Sequence, residues 1–68
     1  MDRILLNNGR FIYVTQTSDV GENKGGLYCE VYLDPELDDW YDFFVVHPDE
    51  EYEEVLKGFI LNSPSLAR

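Results

Sequence analysis

From Leu27 to Leu33 the chain alternates, with Leu27, Cys29, Val31 and Leu33 on one side and Tyr28, Glu30 and Tyr32 on the other. A period of two over this length predicts a half-buried strand whose core face is the Leu/Cys/Val side. Upstream, Arg3 to Asn7 and Arg10 to Thr17 are β-forming runs around Asn8-Gly9, a strong short-range hairpin signal. A two-residue turn there would set Leu6 opposite Phe11, Leu5 opposite Ile12 and Ile4 opposite Tyr13. Ile4, Leu6, Phe11 and Tyr13 would then share one face, and Leu5, Ile12 and Val14 the other. Both faces are apolar, so this hairpin is either covered on both sides or meets another chain. Ser18, Asp19, Gly21, Asn23, Gly25 and Gly26 mark Thr15 to Gly26 as a loop-rich connection.

Trp40 to His47 is a further strand. Trp40, Asp42, Phe44 and Val46 fall on one side, and Tyr41, Phe43, Val45 and His47 on the other. Only Asp42 interrupts its apolar character, which predicts a central position in the sheet. Periodicity alone does not choose the inner face; Phe44 and Val46 are favoured. From Pro48 to Lys57 the spacing changes to three and four. Tyr52, Val55, Leu56, Phe59 and Ile60 form one helical stripe, with Pro48 suited to the first helical position and Asp49, Glu50 and Glu51 to the positive end of the dipole. Gly58 either caps this helix or is passed through; the continuing stripe favours passage to about Leu61. The expected architecture is α+β: one domain over 1–68, a four-stranded antiparallel sheet built as a meander of two hairpins, and a C-terminal helix packed on one face. Residues 62–68 are expected to form a flexible tail.

Charge changes this picture more than composition does. The formal net charge is -9 over 68 residues. Eleven of the fourteen carboxylates lie between Glu30 and Glu54: Glu30, Asp34, Glu36, Asp38, Asp39, Asp42, Asp49, Glu50, Glu51, Glu53 and Glu54. No Lys or Arg interrupts that window. Direct nucleic-acid binding and anionic membranes are disfavoured, because both need clustered cations. A basic protein target is the partner that such a field attracts. There is no signal-peptide core and no apolar run near the roughly 20 residues of a membrane span, so a cytoplasmic location is expected. The single cysteine, Cys29, allows neither an intrachain disulfide nor a cysteine-based zinc site and is expected to be buried with a raised pKa.

Candidate chemistry is sparse. His47, the only histidine, has no nucleophile that the sequence must bring beside it. Lys24-Gly25-Gly26 lacks the spacing of a phosphate-binding loop. Asp34, Glu36 and Asp38 begin like a calcium loop, but Asp39 stands where the Gly is required and Val45 where the bidentate Glu is required, leaving at most a weak divalent site. No catalytic residue, cofactor or metal is therefore assigned. The function expected is that of a small, non-catalytic, acidic inhibitor or antagonist that mimics nucleic acid. Alternate strand residues stand about 6.8 Å apart, close to a phosphate repeat, so rows of carboxylates could occupy a basic surface. Its partner-binding residues would be Glu30, Asp34, Glu36, Asp38, Asp39, Trp40, Asp42, Asp49, Glu50, Glu51, Glu53 and Glu54. The alternative is a non-enzymatic accessory or structural domain, a homodimer or larger homo-oligomer packed through Leu5, Ile12 and Val14, whose acids serve solubility.

Overall fold

A computed structural model of the chain describes residues 1–18, 21–22 and 24–66. Four strands, β1 (Asp2–Leu5), β2 (Phe11–Ser18), β3 (Leu27–Tyr32) and β4 (Trp40–Val46), are followed by one helix, α1 (Tyr52–Leu61). The sheet is an antiparallel meander in the order β1-β2-β3-β4, with α1 on one face. The α+β architecture expected from the sequence is the one observed. Of the connection expected from Thr15 to Gly26, residues 15–18 belong to β2, and Asp19, Val20 and Asn23 lie outside the described residues.

The first hairpin corrects the expected register by one residue. Ile4 pairs with Ile12 and Leu5 with Phe11. Leu6 N–H donates to the Arg10 carbonyl at 2.7 Å and Gly9 N–H to the Leu6 carbonyl at 3.0 Å, while Gly9 has φ 84°. The loop is therefore Asn7-Asn8-Gly9, three residues with glycine in the left-handed conformation, rather than the two-residue turn that Asn-Gly suggests. A slip of one exchanges the faces. Ile4, Leu6, Ile12 and Val14 now face α1 together, and Arg3, Leu5, Phe11 and Tyr13 face away. This register gathers Ile4, Leu6, Ile12 and Val14 into one core and leaves outside Arg3, Phe11 and Tyr13, which carry a polar end or a large ring, together with Leu5.

Ile12, Val14, Cys29 and Val31 are 0% exposed and form the centre of that core, with Val14 directly opposite Val31. Burial, reinforced by the charge of Asp2, pushes the Cys29 thiol up to about 11, so it stays a neutral packing group. Phe44 and Val46 point inward, as favoured from the sequence. The ring of Phe44 lies 5.1 Å from Phe59 and 6.2 Å from Tyr52, which docks the stripe of α1 on the sheet. β4 is an edge strand rather than a central one: α1 covers its inner side, which accounts for Phe44 and Val46, while Phe43 and Val45 lie on the other face. A bulge shifts its start. Val31 pairs with Asp42 but Tyr32 with Trp40, leaving Tyr41 as the extra residue. Tyr41 thus turns toward Phe59, at 6.3 Å and 89°, and Trp40 moves to the face opposite Phe44 and Val46. Along the same strand, Asp42 Oδ1 accepts the N–H of Phe43 at 2.8 Å.

The helix begins later than Pro48. Glu50 N–H donates to the His47 carbonyl at 2.9 Å, making 47–50 a turn in which Pro48 holds the second position, where its fixed φ is equally at home. Glu50 closes the turn with its carboxylate, which accepts the His47 N–H at 2.9 Å and meets Nδ1 at 2.6 Å. Those bonds hold the Glu50 pKa below its usual value. Gly58 lies inside α1, as the continuing stripe implied.

Residues 62–66 are packed, which corrects the expected tail for that segment. Leu66 is 4% exposed within the core cluster, Ser63 Oγ donates to the Phe59 carbonyl at 2.7 Å, and Ser65 Oγ lies 2.7 Å from Tyr41 Oη. Ala67 and Arg68 lie outside the described residues. Leu66→Ala is expected to lower unfolding stability by about 2 kcal/mol, the lower end for emptying a buried leucine site, because the 62–66 segment lies outside the strands and α1 and can relax into the gap. A denaturant midpoint unchanged by this substitution would show that the segment contributes nothing.

Candidate functional site: an uncovered aromatic sheet face

Among the described residues, one face of the sheet carries α1 and the other carries no further element. The register brings onto the bare face Arg3 and Leu5 from β1, Phe11, Tyr13, Thr15 and Thr17 from β2, Tyr28, Glu30 and Tyr32 from β3, and Trp40, Phe43 and Val45 from β4. Large apolar groups stand in solvent there: Leu5 is 63% exposed, Trp40 48% and Phe43 45%. Scattered exposed apolar residues are ordinary, but a continuous aromatic surface on a sheet is the kind of patch that marks an interaction site.

Glu30 stands at the centre of this face, flanked by Thr15 on β2 and Phe43 on β4. Trp40 Nε1 donates to Glu30 Oε2 at 3.2 Å, and Tyr32 Oη donates to Oε1 at 3.4 Å. Desolvation, then the charge and hydrogen bond of Glu30 and the neighbouring Tyr28, raise the Tyr32 pKa, which keeps its donor proton in place. The Tyr28 and Phe43 rings lie 5.3 Å apart at 32°, and the Arg3 guanidinium sits 4.5 Å from the centre of the Phe11 ring. One carboxylate, framed by rings and with both oxygens oriented by aromatic donors, is the centre of the site.

The other acids do not form one surface with it. Asp34 turns inward on its own loop: Oδ1 accepts the N–H groups of Asp38 at 3.0 Å and Asp39 at 2.8 Å, and Oδ2 accepts that of Asp38 at 3.1 Å. The same loop carries Leu37 at φ 62°, a conformation unfavourable for a leucine that the Asp34 bonds help to hold. Glu36, Asp38 and Asp39 are exposed at the end of the sheet where Tyr32 and Trp40 stand. Asp42 belongs to the helix-facing side. Asp49, Glu50, Glu51, Glu53 and Glu54 surround the start of α1 at the opposite end, where Pro48 approaches Gly25. Of the residues selected from the sequence, then, the fold unites Glu30 and Trp40, sets the 36–39 acids beside them and sends the 49–54 acids elsewhere.

Sequence reasoning missed Leu5, Phe11, Tyr13 and Phe43 as members of a common surface. Their signal was the hairpin register, which no local pattern determines when both faces are apolar. Among the described residues no group of three His, Cys, Asp or Glu is placed to hold a metal ion, and no helix is long and apolar enough to cross a membrane. A 240 Å³ cavity lies on the other side of the sheet, between the first hairpin loop, Leu33, Tyr41 and the 65–66 segment. Its lining is mainly apolar, with Asn8 and Arg10 at the loop side. The chain matches no family model, no curated protein and no solved structure in the comparisons made.

Proposed function

We propose that this chain is a non-catalytic binding module whose uncovered sheet face docks on a basic surface of another protein, acting there as an inhibitor or antagonist. The observation that supports this most directly is the bare face itself, where exposed rings surround Glu30 and the 36–39 acids line one end. Rings contribute desolvated contact area, and the carboxylates select and steer a cationic partner. A nucleic-acid-handling protein fits this description, since its cation-lined surface is built to receive an anionic ligand. The docking surface proposed is narrower than the charge distribution along the chain suggested, because the 49–54 acids lie at the other end of the sheet. In this reading the protein works in the cytoplasm and needs no cofactor.

Affinity capture with the intact chain, washed at low and then raised salt, tests this reading. A single basic protein should be retained at low salt and released by salt. Retention should fall when Asp38→Lys and Asp39→Lys are combined, and should change much less when Glu53→Lys and Glu54→Lys are combined. Equal losses from both pairs would mean that only bulk charge matters and would remove the face from the account.

Self-association through the same face is the second reading, favoured by the exposure of Leu5, Phe11, Trp40 and Phe43. Such a dimer cannot use Ile12 and Val14, which are core residues here; Leu5 and Phe11 would replace them. A dimer mass by sedimentation that persists at high salt, together with no captured partner, would favour this reading over the first.

A further inference from the structure

We propose that Glu30, framed by Trp40, Tyr32 and Phe43, is a receptor for one arginine side chain of the protein partner. This rests on the reading that the bare face meets a basic protein and names the group that would occupy its centre. Each carboxylate oxygen of Glu30 accepts one hydrogen bond, from indole N–H at 3.2 Å and from phenol O–H at 3.4 Å. An ionised carboxylate has about four acceptor positions, so both oxygens retain capacity for a further donor. Among the described residues no Lys or Arg of this chain lies within ion-pair distance of Glu30, so no ion pair within the chain occupies its oxygens.

A guanidinium fits what the site offers. It donates two parallel N–H bonds to a carboxylate, it is planar, and it stacks on aromatic rings while remaining charged. Lysine supplies the charge without the fork or the stacking plane. The chain's own Arg3 illustrates the second contact, since its guanidinium lies over Phe11 on this same face. Trp40, Tyr32 and Phe43 surround Glu30 in the way that Phe11 accompanies Arg3, but with a carboxylate at the centre. The indole N–H bond, with the longer phenol contact beside it, also favours one orientation of the glutamate before the partner arrives, which lowers the ordering cost of binding.

Trp40 is the only tryptophan, so its fluorescence reports occupation of the site directly. The probes are blocked hexa-arginine, hexa-lysine and hexa-citrulline peptides, titrated into the intact chain at low ionic strength. Hexa-arginine should change Trp40 emission saturably, hexa-lysine should bind at least about fivefold more weakly, and hexa-citrulline should give no change. Glu30→Gln keeps an acceptor for the indole but removes the charge, and should weaken hexa-arginine binding by about tenfold or more. Phe43→Leu, which keeps an apolar side chain but no ring, should narrow the preference for arginine over lysine; it serves as the second test if Glu30→Gln fails to fold. Equal binding of arginine and lysine peptides with no effect of either variant overturns the receptor. If binding then disappears in Asp38→Asn/Asp39→Asn, cations are held by the loop, and the broader reading of a basic partner survives. If no cationic peptide binds at low salt, the receptor and the broader reading fail together.

Discussion

Ile12→Asp is expected to unfold the protein. Ile12 is 0% exposed in β2, opposite Ile4 and within the core cluster. A domain of this length has a total stability of roughly 3–10 kcal/mol. Removing a buried isoleucine forfeits roughly 2–3 kcal/mol of apolar burial. Leaving a carboxylate in its place without a partner costs several more, of the order of 3–5 kcal/mol. Together the losses equal most or all of that stability, so the variant should lack dispersed amide resonances and a cooperative thermal transition at neutral pH. Leu5→Asp, one residue beyond the Ile4 that pairs with Ile12, should fold with a stability change within about 1 kcal/mol, because Leu5 is mostly in solvent. The pair of variants reads the hairpin register from solution. Unfolding by both substitutions alike would mean that Leu5 and Ile12 share the buried face, and so that the strands pair one residue away from the arrangement described.

Trp40→Ala is expected to weaken partner binding by at least about thirtyfold while leaving the domain folded. Loss of a central interface tryptophan typically costs 2 kcal/mol or more, which is that factor in affinity. Trp40 is half in solvent and adds little to the core, so its removal should cost the fold no more than about 1 kcal/mol. Kinetics should separate it from the acidic loop. Substituting Asp38 and Asp39 should mainly slow association and flatten its salt dependence, whereas Trp40→Ala should mainly speed dissociation. Surface plasmon resonance against the captured protein resolves the two. A Trp40→Ala complex with unaltered dissociation would remove the aromatic face from the interface.

Where burial is one-sided, the sequence was readable. The alternation of Leu27, Cys29, Val31 and Leu33 identified a strand and its inner face, and the stripe from Tyr52 to Ile60 identified the helix and its passage through Gly58. The hairpin was different. With Leu5, Ile12 and Val14 competing against Ile4, Leu6, Phe11 and Tyr13, period two cannot choose a face, and the decision falls to whether Gly9 takes the left-handed place in a two- or a three-residue loop. Pro48 posed a similar ambiguity, since one fixed φ suits both a turn and a first helical position. Trp40 changed sides because of a bulge that no residue type announces. The candidate site suffered most from reading charge along the chain as charge in space. Residues 34–39 and 49–54 are close in sequence, but β4 carries the chain from one end of the sheet to the other between them.

The hydrogen bond from Phe43 N–H to Asp42 bears on how the protein survives with so much of a sheet in water. β4 ends the sheet, and an end strand of valines and aromatics is a template on which another extended chain can add, copy after copy, into a fibril. At its middle the Phe43 N–H is already occupied by a charged side chain, and at its start the extra residue Tyr41 breaks the regular spacing that a newcomer must match. The opposite end strand, β1, is only four residues long. The consequence is a division between edge and face: strand-by-strand growth is obstructed at both margins, while the flat aromatic side stays open to a partner.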